Sequence, residues 1–385
     1  MAQEPPTLVD LFAGCGGLAL GFHQAGFKTL LANELHIDPA TTYVRNLLPE
    51  NNYQMLLGPI EEQLSDKAIE MRSDQLNNVD CLAGGPPCQG LSLAGAGNSG
   101  DPRNMLFHEY LRVVKKIRPR SVLFENVPGF VNRYGLGLKS RLENELGKLE
   151  YEFDSGVVKA SDFGVPQNRE RFFLLGIRKD CVTDDVKLPK PTWTQKRVNN
   201  ELTPSKVIDD LNSYQEWGGY GTGEIWGDST YTKNAKSKFS KSMRKGTKHT
   251  NITWNTRIPK HTKKVANRMG RVLLGETRED WIGTPLETKK HTQRALRKDR
   301  YENITIVSIP DDFVHYDDGL PRTLSVRECA RFQTFPDDFF FHGSRTTGAE
   351  RRRTEVPQYT QVANAIPPRL AKAMANQVKS LLGIV

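Results

Sequence analysis

The sequence predicts an α/β fold: a mostly parallel sheet with helices on both faces, carrying a smaller, irregular domain. Three observations predict it. Short apolar runs alternate with amphipathic stretches through residues 1–180, the pattern of strands separated by helices. The polar, Gly- and Pro-rich motifs of that region follow apolar runs. The regularity lapses near residue 187 and returns past residue 320.

Taken in order, Thr7–Phe12 reads as a buried strand entering a Gly-rich turn, with Leu18–Gly26 as the helix after it. Thr29–Asn33 is a second strand, ending at Glu34. Asp80–Ala83 is a third, ending in GGPPCQG, and Ser121–Phe124 a fourth, ending in ENVPGF. Arg171–Ile177 is a later strand. Ligands of parallel sheets bind at the carboxyl ends of the strands, so these motifs should converge on one cleft. Past residue 187, Pro189, Pro191 and many Asn, Thr, Gly and Lys replace the alternation, and all five tryptophans fall there. The chain then returns to pattern with RTLSVRECARFQTFP and ends on QVANAIPPRLAKAMANQVKSLL, a turn followed by an amphipathic helix. We expect a catalytic domain of residues 1–187 completed by 362–385, an irregular domain of 188–320, and a connecting segment of 321–361.

The length of 385 residues suits one large domain or two ordinary ones. With 37% hydrophobic and 26% charged residues, disordered, collagen-like and coiled-coil readings are poor starting points. No run approaches the roughly 18 apolar residues of a membrane span, and MAQEPPTLVDLF lacks the layout of a secretory signal. A soluble intracellular protein is expected. The five cysteines are scattered, with no CxxC and no Cys/His ligand spacing, so neither a disulfide framework nor a metal site is expected. Charge is uneven. Ser229–Gly275 holds 13 Lys or Arg and no acid, while the whole chain carries a net charge of +9. A polyanion is the natural partner of that segment, although a solvated basic face would read the same.

Four motifs carry chemistry. In DLFAGCGG, Gly14, Gly16 and Gly17 let backbone approach a ligand at a helix N-terminus. Glu34, at the next strand end, can accept hydrogen bonds from ribose hydroxyls. The spacing departs from GxGxxG, so any nucleoside cofactor fits, and so does a purely structural turn. GGPPCQGLS places Cys88 in a loop straight after a strand, where a thiolate would be a strong nucleophile. A lone cysteine is otherwise often a buried hydrophobe. ENVPGF puts the Glu125 carboxyl at a strand end, as an acid, a hydrogen-bond partner or a helix cap. QNRERFF spaces Arg169 and Arg171 by two, so in a strand both face one side. Surface arginines paired with Glu170 or Glu125 are the plainer alternative.

In their order, DLFAGCGG, PPCQG, ENV, QNRER, RTLSVRECARFQTFP and QVANAIPP, the chain resembles the cytosine-C5 DNA methyltransferases. The blocks span most of the chain outside the irregular region, where that family keeps its variable target-recognition domain. The resemblance implies a Rossmann-like catalytic domain that binds S-adenosyl-L-methionine and releases S-adenosyl-L-homocysteine. It assigns the cofactor to Asp10, Phe12, Gly14, Gly16, Gly17, Glu34, Ile60, Pro87, Leu106, Asn364 and Ile366. One departure is visible: the family often has Asp before Ile in its third block, and here the chain reads Gly58-Pro59-Ile60. Adenine must be read there by backbone, water or another residue. Leu35 also stands where an aromatic is common.

The implied chemistry accounts for the set. Carbon 5 of cytosine is a poor nucleophile until a thiolate, Cys88, adds at carbon 6. Glu125 relieves charge at N3 and the exocyclic amine, and so needs an upward-shifted pKa. Arg171 stabilises the adduct and orients Glu125, Arg169 supports the loop or a phosphate, and Asn126 fixes the Cys88 loop. The target base must swing out of the duplex, and the loop GLSLAGAGNSG suits movement over it. Gln89 and Ser92 would meet DNA. Lys233, Lys236, Lys238, Lys241, Arg244 and Lys245 would supply phosphate contacts, with Arg345 and Arg351–Arg353 as a second group.

Rival readings are a transfer-RNA methyltransferase on the same fold and a non-catalytic DNA-binding relative. Amino-methylating DNA enzymes fit poorly, since their Asn/Asp-Pro-Pro-aromatic loop has no counterpart in PPCQ. The resemblance points to a bacterial modification methylase acting on double-stranded DNA, cytoplasmic and nucleoid-associated. A separately acting companion restriction endonuclease and a monomeric enzyme, with no membrane or metal partner, are expected.

Overall fold

The structure is a computed structural model. It describes residues 4–48, 54–87, 105–132, 137–211, 214–215, 229–231, 233–245, 252–258, 261–288, 294–301, 304–308, 313–316, 321–346, 351 and 354–384. The chain divides into two compact units. Unit 1 comprises residues 1–163, 169–192 and 366–385, and unit 2 comprises 164–168 and 193–365.

Unit 1 is built on a seven-stranded sheet. Its strands are β1 (Thr7–Leu11), β2 (Lys28–Glu34), β3 (Met55–Leu57), β4 (Cys81–Gly84), β5 (Ser121–Asn126), β6 (Tyr151–Lys159) and β7 (Glu170–Arg178). Their spatial order is β3-β2-β1-β4-β5-β7-β6. The pairs among β1 to β5 are parallel. The sheet is mostly parallel, as expected, and the exception is β7, which runs antiparallel to both β5 and β6. The reason is the connection: only residues 160–169 join β6 to β7, too few for a crossover helix, so the chain turns straight back.

The helices follow from period and punctuation. Gly16, at φ 91°, caps α1 (Gly17–Gln24) in a conformation that suits glycine. Then come α2 (Ile37–Leu47), α3 (Ile60–Gln63), α4 (Asp66–Glu70), α5 (Ser73–Leu76), α6 (Met105–Ile117), α7 (Gly129–Asn132) and α8 (Leu138–Lys148). Phe107, Tyr110 and Val114 of α6, at helical spacing, bury against Val9, Leu82, Val122 and Phe124 of the sheet. Phe130 stacks on Phe172, with ring centroids 5.3 Å apart, and closes this core beside the C-terminal end of β5.

Unit 2 contains α9 (Gln195–Glu201), α10 (Pro204–Ile208), α11 (Lys238–Arg244), α12 (Lys263–Leu273), α13 (Val326–Phe332) and α14 (Gln358–Asn364). Its strands are two residues each and pair as β8 (Tyr214–Gln215) with β11 (Arg257–Ile258), β9 (Ser229–Thr230) with β10 (Ile252–Thr253), and β12 (Arg294–Ala295) with β13 (Phe313–Val314). The last helix, α15 (Pro368–Leu381), returns to unit 1 and lies on α1. A Cβ at Gly21 would stand 2.4 Å from the Ala371 Cβ, so glycine permits that approach.

Residues 321–361, read above as a connecting segment, lie within unit 2 and include α13, all seven residues of which are buried. Ser325 and Glu328 form a capping box at its start. The Arg331 guanidinium is fully buried and bonds Asp337 (2.9 and 2.6 Å), Asp210 (2.5 and 3.1 Å) and the Val207 carbonyl (2.8 Å). The Tyr231 hydroxyl donates to Asp337 at 2.5 Å, and Arg244 both pairs with Asp210 at 2.5 Å and stacks over the Tyr231 ring. These bonds close a ring that ties α10, α11 and α13 together. No described helix is long and apolar enough to cross a membrane.

Candidate active site

The carboxyl ends of β1, β2, β4 and β5 bring several of the sequence-predicted residues together. Phe12 leaves β1 at φ 56°, uncommon for a bulky residue, and Gly14 follows at φ 54°. The Gly14 N–H donates to Glu34 Oε2 at 2.9 Å, and the His36 N–H donates to Oε1 at 2.9 Å. Glu34 thus closes the glycine turn from the end of the neighbouring strand. Burial pushes its pKa up, and the N–H groups of His36 and Gly14 pull it the other way. Space beside Gly14 is open, for a Cβ there would meet nothing within 4 Å. At Gly16 a Cβ would strike Leu47 at 2.6 Å and Tyr43 at 2.9 Å.

Asp10 sits at this turn almost fully buried. Burial pushes its carboxyl up to about 8, Tyr43 hydrogen-bonds it, and Glu34 adds repulsion. Its Oδ2 has no hydrogen-bond partner among the described residues. Such an oxygen suits a cation or donor from a ligand. Asn33, which sequence reasoning passed over, donates from Nδ2 to the carbonyls of Leu56 (2.9 Å) and Gly58 (3.0 Å) and so holds the Gly58-Pro59 turn. Ile60 follows, buried at the start of α3. Its place directly before Glu34 was the only signal for Asn33. Leu106 packs at the edge of the main core, partly buried. Ile366 is buried in unit 1, whereas Asn364 ends α14 in unit 2 and is exposed.

The second group surrounds Glu125. The β5–β7 register sets Glu125 opposite Phe173, so Arg171, two residues on, shares its face. Arg171 Nε lies 3.0 Å from Glu125 Oε1. Burial raises the Glu125 pKa against the pull of Arg171 and Arg169. It lowers that of Arg171 against the pull of Glu125. Burial thus works against the charged form of both partners, a perturbation common at functional sites. Arg169, just ahead of β7, is buried, and burial and Arg171 hold its pKa well below the usual range. Arg169 is therefore an interior residue, and Arg171 is largely but not fully covered.

Gly85 has a part that the sequence does not disclose. Its missing side chain makes room for Glu125, since a Cβ would come within 2.6 Å of Oε2. Asn126 Nδ2 donates to the Pro86 carbonyl at 3.1 Å and anchors the start of the PPC loop, while Pro87 is exposed. Cys88, Gln89 and Ser92 lie outside the described residues, as do Arg352 and Arg353. The remaining cysteines are poor nucleophiles or misplaced. Burial pushes the Cys15 and Cys81 thiols up to about 12 and raises Cys329 as well. Cys181 follows the C-terminus of antiparallel β7, which lies beside the N-terminal end of β5, at the end of the strands away from Glu125. Among the described residues, no group of three or more His, Cys, Asp or Glu could hold a metal ion.

Of the basic candidates in unit 2, Lys233, Lys236, Lys238, Lys241 and Lys245 are exposed around α11. Arg244 differs, because its guanidinium is engaged by Asp210 and Tyr231.

The profile of a family described as C-5 cytosine-specific DNA methylase matches residues 7–380. The chain is 30% identical to the type II methyltransferase M.DdeI of Desulfomicrobium norvegicum, over 97% of this chain and 88% of that one. It is also 30% identical to the type II methyltransferase M.MthTI of Methanothermobacter thermautotrophicus, over 97% and 96%. In fold it is similar to a candidate DNA modification methyltransferase encoded within an E. coli prophage (TM-score 0.73, 24% identity, 98% and 99% covered). It is similar too to S. pombe Dnmt2 methyltransferase (TM-score 0.60, 15% identity, 98% and 100% covered). The sheet order, the glycine turn and the profile match agree, and the chain belongs to the C-5 cytosine-specific DNA methylases, as a DNA (cytosine-5-)-methyltransferase.

Proposed function

We propose that this enzyme methylates a cytosine flipped out of a short duplex sequence, through a covalent bond from Cys88 to carbon 6, as the modification enzyme of a restriction-modification system. The observation that carries the reading is the largely covered Glu125–Arg171 pair, whose carboxyl lies against Gly85 at the start of the segment that leads to Cys88. Glu125, with its raised pKa, donates a hydrogen bond to N3 of the flipped base as charge develops there. Arg171 holds that carboxyl in place and offsets the charge of the adduct. Asn126 fixes the approach of Cys88 through Pro86. Arg169 supports the β6–β7 turn from inside.

S-adenosyl-L-methionine supplies, when bound, a methyl group on a sulfonium. The residues present fit such a ligand. The unpartnered Asp10 oxygen suits its ammonium, the open side of Gly14 leaves room for its methionine part, and Glu34 suits ribose hydroxyls. Phe12, Gly16, Gly17, Ile60, Pro87, Leu106 and Ile366, all in unit 1, complete the site. The type II relatives support the restriction-modification assignment. The exposed lysines around α11 contact phosphates, which sets position rather than sequence.

Expression in a bacterial host free of cytosine methylation tests this. Bisulfite sequencing should find protected cytosines in one recurring short sequence, and none with Cys88→Ser, although that variant still binds DNA and S-adenosyl-L-homocysteine. Appreciable turnover by Cys88→Ser would refute the nucleophile. A soluble wild type that methylates no DNA would refute the substrate.

A further inference from the structure

We infer that the exposed face of α12 reads bases in the DNA major groove, with Arg271 as its guanine-reading side chain. The inference rests on the DNA methyltransferase reading and adds to it the element that sets sequence preference. One side of α12 buries Met269 and Val272 against Trp281 and Val314, with Val265, Leu273, Leu286 and Ala295 around them. The other side exposes Lys263, Lys264, Asn267 and Arg271, and Leu274 just past the helix. At 3.6 residues per turn, Lys264, Asn267, Arg271 and Leu274 form one stripe.

The chemistry of the stripe is specific. It holds one ammonium group, with that of Lys263 beside it, one amide, one guanidinium and an apolar side chain that is 79% exposed. It contains no carboxylate, in keeping with the acid-free run Ser229–Gly275. Its charge complements a duplex polyanion. The major groove presents paired acceptors on guanine, a donor and acceptor on adenine, and the methyl of thymine. Arginine, asparagine and an apolar side chain match these in turn.

Arg271 is held in readiness. Its Nη1 donates to Glu276 Oε1 at 2.9 Å, and the other Glu276 oxygen accepts from the indole of buried Trp281 at 2.9 Å. The Glu276 N–H also bonds the Arg271 carbonyl at 3.1 Å. A carboxylate fixed by a buried indole thus orients a guanidinium whose side chain stays 50% exposed. An ion pair so exposed contributes little to stability. Its larger effect is to orient the planar fork before DNA arrives, which reduces the ordering lost on binding.

The test compares wild type with Arg271→Ala, Arg271→Lys, Glu276→Gln and the double variant Lys263→Ala/Lys264→Ala. The methylated sequence is first read from the host genome by bisulfite sequencing, and then kcat/KM is measured on duplexes altered one base pair at a time. Arg271→Ala should lose roughly ten- to hundredfold on the wild-type sequence and cease to discriminate at one position. Arg271→Lys should do the same with an unchanged melting temperature and unchanged S-adenosyl-L-homocysteine affinity, which separates reading from unfolding. Glu276→Gln, a change in a positioning residue, should raise KM more than it lowers kcat and keep the same preferred base. The double lysine variant should weaken binding to every duplex and reduce the salt slope by about two. Arg271 variants with the wild-type rate and sequence profile would overturn the inference and leave the methyltransferase reading standing. A wild type that methylates no DNA would overturn both.

Discussion

The two units bury acidic side chains in opposite ways. In unit 1, burial pushes Asp10, Glu34 and Glu125 up. In unit 2, burial is outweighed: Arg322 and His315 hold Glu328 at about 2, and Arg331 and Arg327 hold Asp337 down. The difference is company. Glu328 takes both arms of Arg322 at 2.9 Å, and Asp337 takes two bonds from Arg331 and one from Tyr231. Asp10 keeps an oxygen with no described partner, and Glu34 is met by backbone N–H groups. Acids given full partners build the domain. Asp10 and Glu34, kept short of cationic partners, are set to meet a ligand, and at Glu125 burial prevails even with Arg171 at 3.0 Å.

The strongest way to break this contrast is to remove a partner in unit 2. Arg331→Leu strips Asp210 and Asp337 of their shared buried guanidinium and leaves them only Arg244 and Tyr231, and breaking such a buried pair costs about 3–5 kcal/mol. The melting temperature should fall steeply, and limited proteolysis should cut first within residues 193–365. An Arg331→Leu protein that melts like wild type would show that the ring of bonds around α13 does not hold the unit together.

This contrast also decides what the sequence discloses. Strands β1, β2, β4 and β5 are legible because apolar runs end in Gly, Pro or acidic punctuation, and each lies within a residue or two of its expected bounds at most ends. The reversal of β7 is not legible, since it depends on a short connection that composition does not mark. Glu125 with Arg171 was one of several pairings open. The approach of Gly85 to Glu125 is not legible either, because it exists only through the β4–β5 register. Unit 2 is opaque for another reason. Strands of two residues have no period, and Arg327 and Arg331, basic residues that a sequence places at the surface, are its largest fully buried side chains.

Titration sharpens the comparison with a smaller effect. Glu328, ordinarily near 4.5, is held at about 2 in the fold. Its contribution, about 3 kcal/mol, is present above pH 4.5 and lost as pH falls toward 2. Asp10 runs the other way. Its folded value of about 8 exceeds the ordinary 3.8, so it favours the fold most below pH 3.8 and that preference is lost as pH rises to 8. Melting curves across pH should show Glu328→Gln destabilised at pH 7 with the deficit closing near pH 2. Asp10→Asn should gain on wild type between pH 5 and 9. Parallel pH profiles for the two variants would mean that the acids do not differ in company.

The smallest effect on stability should come from the change closest to the chemistry. In Gly85→Ala the new Cβ would stand 2.6 Å from Glu125 Oε2. That oxygen ends a flexible side chain, so the carboxyl shifts and the sheet stays. The melting temperature should move by only a few degrees, while displacement of a catalytic group by about 1 Å can slow a reaction on the order of a hundredfold. S-adenosyl-L-homocysteine affinity should hold, because Glu34 and the glycine turn lie on other strands. A loss of rate at constant fold and cofactor affinity is what an acid positioned for a ligand predicts. An unchanged rate would place Glu125 with the structural acids of unit 2, and the contrast between the units would then rest on Asp10 and Glu34 alone.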